Sequence, residues 1–149
     1  MPNALENFMT AARATILLVD DDPDDAELTK VAFRKAGFAN PIVVCEGEDA
    51  MHYLAGDGQY ADREKFPLPQ LVLLDRAMPG MTGWEILAWL RRCPELKSLP
   101  VIILSGSAFS GDKEKAKVLG ANAYEVKPQE FEQFVKLAAE IGDFWLRGA

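Results

Sequence analysis

Carboxylates are concentrated in the stretch TILLVDDDPDD, Thr15 to Asp25, where an apolar run of strand length leads into five aspartates and one proline. Neighbouring carboxylates repel one another and raise each other's pKa values, so such a cluster usually requires a cation or a basic side chain nearby. Its chemistry therefore depends on which other polar side chains the fold brings to the same place.

Polar side chains also follow three other apolar runs. Asp75 ends QLVLLD, Ser105 ends VIILS, and Lys127 follows AYEV. Carboxylate oxygens from Asp20, Asp21 and Asp75 are ligands of the kind that Mg²⁺ prefers. The residue types therefore predict a magnesium site with a lysine and a hydroxyl beside it.

A divalent cation and a lysine beside one carboxylate are what phosphoryl transfer requires, since both neutralise charge on the moving group. We therefore interpret Asp75 as the nucleophile that accepts the phosphoryl group. Ser105 and backbone N–H groups near Ala77 and Gly106 are predicted to contact its oxygens.

The elements that must position these side chains alternate regularly along the chain. Five short apolar runs, TILLV, PIVVC, QLVLL, VIILS and AYEV, are separated by segments of helical periodicity. Continuous apolar strands joined by helices predict a parallel sheet covered on both faces, which is a three-layer α/β sandwich. Ligands bind beyond the carboxyl ends of such strands, so the polar residues above are expected on one rim.

Capping residues and periodicity predict the helix boundaries. The first helix is predicted to have Asp22 as N-cap and Pro23 in its first position, to end near Gly37, and to turn Leu28, Val31 and Ala32 inward. Two further helices are predicted at 48–54 and 111–119. Another runs from 82 or 83 to before Pro94 and turns Trp84, Leu87 and Leu90 inward. The last begins at Glu130 and has on one side Phe131, Phe134, Val135, Ala138, Ile141 and Trp145. The connector AGDGQYADREKFPLP is predicted to be a surface insertion.

Length and charge limit the classes of function. The 149 residues fit one domain, which we expect over residues 15–149 after an extension at 1–14. The net charge of -7 argues against nucleic acid or an anionic membrane as a partner. The amino terminus has no signal-peptide pattern, so we expect a cytoplasmic protein. Cys45 and Cys93 lack metal-ligand spacing and are expected to be reduced.

Four segments, LLVDDDPDD, LVLLDRAMPGMTG, VIILSGS and GANAYEVKP, resemble the signature segments of response regulator receiver domains, the phospho-accepting partners in two-component signalling. The resemblance covers the chain from about Thr15. It implies a flavodoxin-like fold with strand order 2-1-3-4-5, Mg²⁺ as cofactor and a cis Lys127–Pro128 peptide. It also implies a sensor histidine kinase as partner.

The resemblance also implies specific roles for individual residues. They are an acidic pair for Mg²⁺ at Asp20 and Asp21, phosphorylation at Asp75, a metal-binding backbone carbonyl at Ala77, a switch hydroxyl at Ser105, a switch aromatic at Tyr124 and a phosphoryl contact at Lys127. The inserted connector and the long terminal helix are similar to the small regulators that serve cyanobacterial and bacterial phytochrome kinases. Two positions depart from the usual pattern: Ala77 and Ser107 stand where polar or longer side chains are common.

Two other functions remain open at this point. A metal-dependent phosphohydrolase would turn over through a phosphorylated Asp75, but Ala77 cannot act as the acid that such enzymes carry two residues after the nucleophile. A module that binds partners without phosphate would leave the carboxylates and Lys127 unexplained. As a receiver, the chain is expected to catalyse only its own phosphorylation and dephosphorylation. Its output would be a partner protein, a histidine phosphotransfer protein among the candidates.

The terminal helix carries more apolar residues than one face buries, which predicts a homodimer. Phe134, Phe144 and Trp145 are the candidate partner surface, and Leu137 is expected away from the sheet together with Phe144. The amino-terminal ALENFM has apolar residues at helical spacing that could cover this surface in the same or a second subunit.

Overall fold

The computed structural model describes residues 15–75, 83–106 and 110–146, and within these ranges it contains five strands and five α-helices. The strands are β1 (Ile16–Val19), β2 (Ile42–Cys45), β3 (Leu71–Asp75), β4 (Val101–Ser105) and β5 (Ala123–Val126). The helices are α1 (Pro23–Lys35), α2 (Gly47–Ala55), α3 (Gly83–Arg92), α4 (Ser110–Leu119) and α5 (Phe131–Trp145). The amino-terminal ALENFM, Ala77 and Ser107 lie outside the described residues.

All neighbouring strands are parallel, and their order is β2-β1-β3-β4-β5. Asp75 pairs with Leu104, and Ser105 pairs with Val126. The carboxyl ends of β1, β3, β4 and β5 therefore meet at one edge, and the predicted strand order is confirmed.

Two hydrophobic cores lie on opposite faces of the sheet. One contains buried residues of α2, α3 and α4, and the other contains buried residues of α1 and α5. β1 serves both, because Leu17 and Val19 belong to the first core while Ile16 and Leu18 belong to the second. This alternation along a central strand produces the predicted three layers.

The start of α1 agrees with its predicted capping. The Asp22 carboxylate accepts hydrogen bonds from the N–H groups of Asp24 and Asp25, and Pro23 occupies the first turn. These bonds satisfy two donors that a helix start otherwise leaves unpaired. Gly37 follows the helix with a φ of 97°, a conformation that glycine adopts without strain.

Two predicted helix faces are partly wrong. In α1, Ala32 is buried as expected, but Leu28 is 47% exposed and Val31 is half-buried. The buried face instead contains Ala26, Thr29 and Phe33, because the helix is rotated relative to the prediction. In α3, Leu87 and Leu90 are buried and Trp84 is half-buried. A short apolar pattern does not define the rotation of a helix about its axis.

The connector after α2 is a packed element. It contains a 3₁₀ turn, Gly58–Tyr60, and the rings of Tyr60 and Phe66 contact each other and Tyr53. The Arg63 guanidinium donates to the carbonyls of Tyr53, Leu54 and Phe66 at 2.8–3.1 Å. The insertion is therefore anchored to the carboxyl end of α2.

Both cysteines are free, as predicted, with Cys45 buried and Cys93 half-buried. Among the helices that the structure describes, none has the length and apolar character needed to cross a membrane.

Candidate functional site

Asp20 and Asp21 follow β1 at the carboxyl edge of the sheet, but their side chains have different partners. Asp20 is buried, and its Oδ1 accepts a hydrogen bond of 3.0 Å from the N–H of Asp22. Asp21 Oδ1 accepts a hydrogen bond of 3.1 Å from the N–H of Gly47 at the start of α2. Asp20 is therefore held inside the strand-end cluster, whereas Asp21 is tied to the neighbouring helix.

Lys127 contacts residues at the ends of three strands. Its backbone N–H donates a hydrogen bond of 2.7 Å to the carbonyl of Ser105 at the end of β4. Its Nζ atom lies 3.1 Å from Asp25 Oδ2, 3.5 Å from Asp20 Oδ2 and 4.0 Å from Asp75 Oδ2. One ammonium group thus contacts three carboxylates, contributed by α1, the end of β1 and β3.

The local environment shifts the pKa values of both Asp20 and Lys127. Burial raises the pKa of Asp20, and the Asp75 and Asp25 carboxylates raise it further, while the Asp22 N–H and Lys127 oppose that rise. Burial alone would lower the pKa of Lys127, but the three carboxylates outweigh it and raise the pKa. Lys127 is therefore a fixed positive charge at neutral pH.

Asp75 and Ser105 stand at the ends of adjacent strands. The Asp75 side chain is 21% exposed, so a reactant can reach it from solvent. Ser105 is buried, at 4% exposure. Lys127 links the two positions through its backbone bond to Ser105 and its ammonium contact with Asp75. This arrangement offers an accessible carboxylate oxygen next to a fixed cation, as an anionic electrophile requires.

The donor chemistry of this rim fits a hard divalent cation. Asp20 and Asp75 supply carboxylate oxygens, and the raised pKa of Asp20 indicates a charge that its neighbours compensate incompletely. Within residues 15–75, 83–106 and 110–146, no group of three or more His, Cys, Asp or Glu side chains is arranged to hold an ion. The predicted ligand Ala77 lies outside those ranges. Mg²⁺ commonly keeps several water ligands and needs few carboxylates from the protein.

A family model for the response regulator receiver domain matches residues 16–139, from β1 into α5. This match spans most of the chain and includes every strand end described above. The chain belongs to the response regulator receiver family.

Individual relatives agree with this membership. Response regulator Rcp1 of Synechocystis is 32% identical over 132 residues, which cover 88% of this chain and 88% of Rcp1. The structure of the phosphorylated cyanobacterial phytochrome response regulator RcpA superimposes with a TM-score of 0.82 at 32% identity, covering 90% of this chain and 94% of RcpA. RPA3017, a response regulator in red light signalling of R. palustris, gives a TM-score of 0.87 at 30% identity, covering 91% of this chain and 96% of RPA3017.

Family membership confirms the resemblance inferred from sequence and the flavodoxin-like fold. Receiver domains are generally signalling modules without a catalytic function of their own. They also bind a divalent metal, and a structure of Rcp1 itself is of the Mn²⁺-bound form.

Tyr124, the candidate switch aromatic, and Gly106, a candidate phosphoryl contact, occupy different positions in this receiver. Tyr124 pairs with Ile103 in the β4–β5 ladder, is half-buried, and packs against the core beneath α2, α3 and α4. With residues of α4 it lines a surface cavity of about 610 Å³. Gly106 is exposed directly after Ser105. The switch roles of Ser105 and Tyr124 and the phosphoryl contact of Gly106 stay predictions.

The predicted cis peptide between Lys127 and Pro128 is wrong, because no cis bond occurs among the described residues. The trans form of a peptide bond before proline is favoured by about 0.5–1 kcal/mol when the surroundings do not select the cis form. The contacts of Lys127 with the three carboxylates are made with the trans bond in place.

The sequence interpretation missed the contact of Asp25 with Lys127. The helix dipole already explains a carboxylate in the first turn of a helix, so there was no separate reason to expect a contact between Asp25 and Lys127. The available signal was its place in the same acidic cluster as Asp20, directly after the strand that forms the rim.

The predicted partner surface on α5 needs correction. Phe134 is 3% exposed and Leu137 is also buried, because both belong to the inward stripe with Ala138 and Ile141. Phe144 is 65% exposed and lies 4.7 Å, between ring centroids, from half-buried Trp145. Phe144 and the exposed part of Trp145 are therefore the surface that remains, and Phe134 is a core residue.

Proposed function

We propose that this receiver accepts a phosphoryl group on Asp75 from a sensor histidine kinase, and that the resulting charge changes a partner-binding surface. The single observation that carries the proposal is the Lys127 ammonium, 4.0 Å from Asp75 and 3.5 Å from Asp20. This places a fixed cation beside an accessible carboxylate at the carboxyl edge of the sheet, where ligands bind in such folds.

In the proposed reaction an Asp75 carboxylate oxygen attacks the phosphorus of a phosphohistidine. The new O–P bond forms as the P–N bond breaks, and the electron pair of that bond remains on the histidine ring nitrogen. Lys127 stabilises charge on the oxygens of the moving group. The Ser105 hydroxyl, the Gly106 N–H and the Ala77 N–H are the proposed further contacts. In the later hydrolysis, a water oxygen bonds to phosphorus as the bond from phosphorus to the Asp75 oxygen breaks, which leaves the Asp75 carboxylate and inorganic phosphate, and the water protons pass to the phosphate and to solvent.

We assign Mg²⁺ as the cofactor, which Asp20, Asp21, Asp75 and the Ala77 carbonyl would hold once the three carboxylates converge, since the described residues contain no preformed group of three. When bound, the ion neutralises negative charge on the transferred group. The divalent metal of Rcp1 and the oxygen-rich rim of this chain support the assignment. Asp21 would have to share its carboxylate between the ion and the Gly47 N–H, since only one of its oxygens takes part in that hydrogen bond.

The proposed switch joins Ser105 to Tyr124. A phosphoryl group adds nearly two negative charges and strong acceptor oxygens, which would draw the Ser105 hydroxyl toward Asp75. The ring of half-buried Tyr124 would then turn inward and alter the surface formed by α4, β5 and α5.

A bacterial phytochrome is the proposed kinase, because RcpA and RPA3017 are described as phytochrome and red-light regulators. We also propose that the protein is a homodimer in the cytoplasm. Its output would pass through a partner such as a histidine phosphotransfer protein.

Incubation with acetyl phosphate and Mg²⁺ tests the function. We expect one phosphoryl group per chain, loss of labelling on removal of Mg²⁺, and no labelling of Asp75→Ala. Sustained release of phosphate over many turnovers would instead identify a phosphohydrolase. A folded protein that takes up no phosphoryl group would identify a module that acts without phosphate.

A further inference from the structure

Lys127 lies nearer to Asp25 than to the proposed phosphorylation site. The distances from its Nζ atom are 3.1 Å to Asp25 and 4.0 Å to Asp75, and Nζ donates hydrogen bonds to Asp25 Oδ2 and Asp20 Oδ2. The Lys127 side chain is 14% exposed, while Asp25 is 47% exposed. Asp25 therefore connects a mostly buried ammonium group to the solvent-facing edge of the rim.

The backbone of Asp25 is held firmly. Its N–H donates to Asp22 Oδ1 at 3.3 Å, and its carbonyl accepts from the Thr29 hydroxyl at 3.0 Å. The neighbouring Asp24 donates its N–H to the same Asp22 carboxylate but makes no ion pair with Lys127. Asp24 and Asp25 thus share the helix start and the sign of their charge, and differ in contact with the lysine.

We propose that Asp25 is a positioning residue that holds the Lys127 ammonium in the unphosphorylated receiver and thereby slows transfer of the phosphoryl group to Asp75. This inference rests on the proposed function. Movement of the Lys127 ammonium toward an incoming group at Asp75, now 4.0 Å away, would weaken its 3.1 Å hydrogen bond to Asp25. An interaction stronger in the ground state than in the transition state lowers the rate of the step.

Asp25→Asn removes this competition and keeps the size of the side chain. A partly exposed ion pair shifts an equilibrium by roughly 1.4- to 5-fold, which sets the expected size of the effect. We expect the initial rate of labelling to rise by about that factor. Asp25→Glu, which restores the carboxylate, should return the rate toward that of the wild type.

The test measures labelling by acetyl phosphate at saturating Mg²⁺. An Asp75 oxygen bonds to phosphorus, the P–O bond to the acetyl group breaks, and acetate leaves with the electron pair. Asp24→Asn is the matched control, since it removes one charge from the same helix turn without touching Lys127. Equal rates for Asp24→Asn and Asp25→Asn would overturn the inference, as would an Asp25→Glu protein that behaves like Asp25→Asn. Absence of labelling in the wild type would instead overturn the proposed function.

A second measurement needs neither metal nor phosphate. Urea unfolding of the wild type, Asp25→Asn, Lys127→Gln and the double variant forms a double-mutant cycle. We expect the effect of Asp25→Asn on the unfolding equilibrium to differ by roughly 1.4- to 5-fold between the wild-type and Lys127→Gln backgrounds. Additive effects would show that the two side chains do not interact in solution, and would also overturn the inference.

Discussion

Asp20 has a carboxylate that the fold buries almost completely. Its carboxylate is 2% exposed, and burial is the main cause of its raised pKa. Some carboxyl groups have a higher pKa in the folded than in the unfolded state. Such a group lowers the free energy of unfolding as pH rises from its unfolded-state pKa to its folded-state pKa. At neutral pH Asp20 therefore lowers the free energy of unfolding when no cation is bound.

We predict that Asp20→Asn raises the thermal unfolding midpoint of the metal-free protein at pH 7. Asparagine removes the charge and keeps an oxygen to accept the hydrogen bond from Asp22. Each kcal/mol gained should raise the midpoint by roughly 2–4 °C in a domain of this size. At about pH 3 the difference should shrink, because Asp20 is then mostly protonated in both states. A midpoint at pH 7 below that of the wild type would contradict this, with Asp24→Asn as the exposed control.

Ala77 leads to a prediction that rests on the sequence alone. Its methyl group cannot orient a water molecule beside Asp75, and loss of such positioning typically slows a step by an order of magnitude or more. We therefore predict a long-lived phosphorylated form and an approximately tenfold faster decay in Ala77→Asn. Decay is measured after removal of the donor in the presence of Mg²⁺. Ala77→Val controls for bulk, and equal decay of the Asn and Val variants would refute the prediction.

The rim residues that sequence could identify are those attached directly to strands. Asp20, Asp75, Ser105 and Lys127 end or follow apolar runs, and parallel strands bring those positions to one edge whatever the details of packing. Asp25 was missed because its contact depends on the angle at which α1 leaves the rim. That angle is determined by packing of α1 on the sheet, which a local pattern does not contain.

At the scale of elements, α1 and α5 form a close pair beneath the sheet. Gly142 of α5 faces the ring of Phe38, which follows α1, and a Cβ atom added at Gly142 would overlap that ring. Phe38 is itself 3% exposed, so the ring has little room to move. The absence of a side chain at Gly142 is thus a condition for this packing.

We predict that Gly142→Ala destabilises the protein, although alanine favours helix by up to about 1 kcal/mol over glycine. Overpacking a buried site typically costs about 1–3 kcal/mol, so the net loss should be smaller than that range. Urea unfolding gives the difference, and Gln133→Ala on the exposed side of α5 is the control. Phe38→Leu should relieve the penalty in the double variant. A Gly142→Ala protein more stable than the wild type would contradict the packing described.

Helix faces were harder to predict than helix positions. Every predicted helix is present within a few residues of its expected bounds. The rotation of α1 and the burial of Leu137 differ from expectation, because several apolar residues compete for one inward stripe. Contacts with the neighbouring elements determine which of these residues is buried.

The exposed aromatic end of α5 supports the proposed homodimer. Phe144 is 65% exposed beside Trp145, and large exposed apolar groups often mark interfaces. We predict a dimer at micromolar concentration in sedimentation experiments, and a monomer for Phe144→Glu. Val118→Glu adds the same charge at an apolar residue of α4 that is 76% exposed, and should leave the dimer intact. A monomeric wild type would refute the dimer, and a dimeric Phe144→Glu would refute its location.

Acceptance of the phosphoryl group by Asp75 is tested most directly by locating that group in the protein. Borohydride reduces an acyl phosphate of aspartate to homoserine, which mass spectrometry of the digested protein can place. After labelling by a phytochrome kinase or acetyl phosphate in Mg²⁺, we predict homoserine at position 75 and at no other aspartate, and none in Asp75→Asn. Homoserine at Asp20, Asp21 or another aspartate of the wild type, or undiminished labelling of Asp75→Asn, would contradict the proposed function.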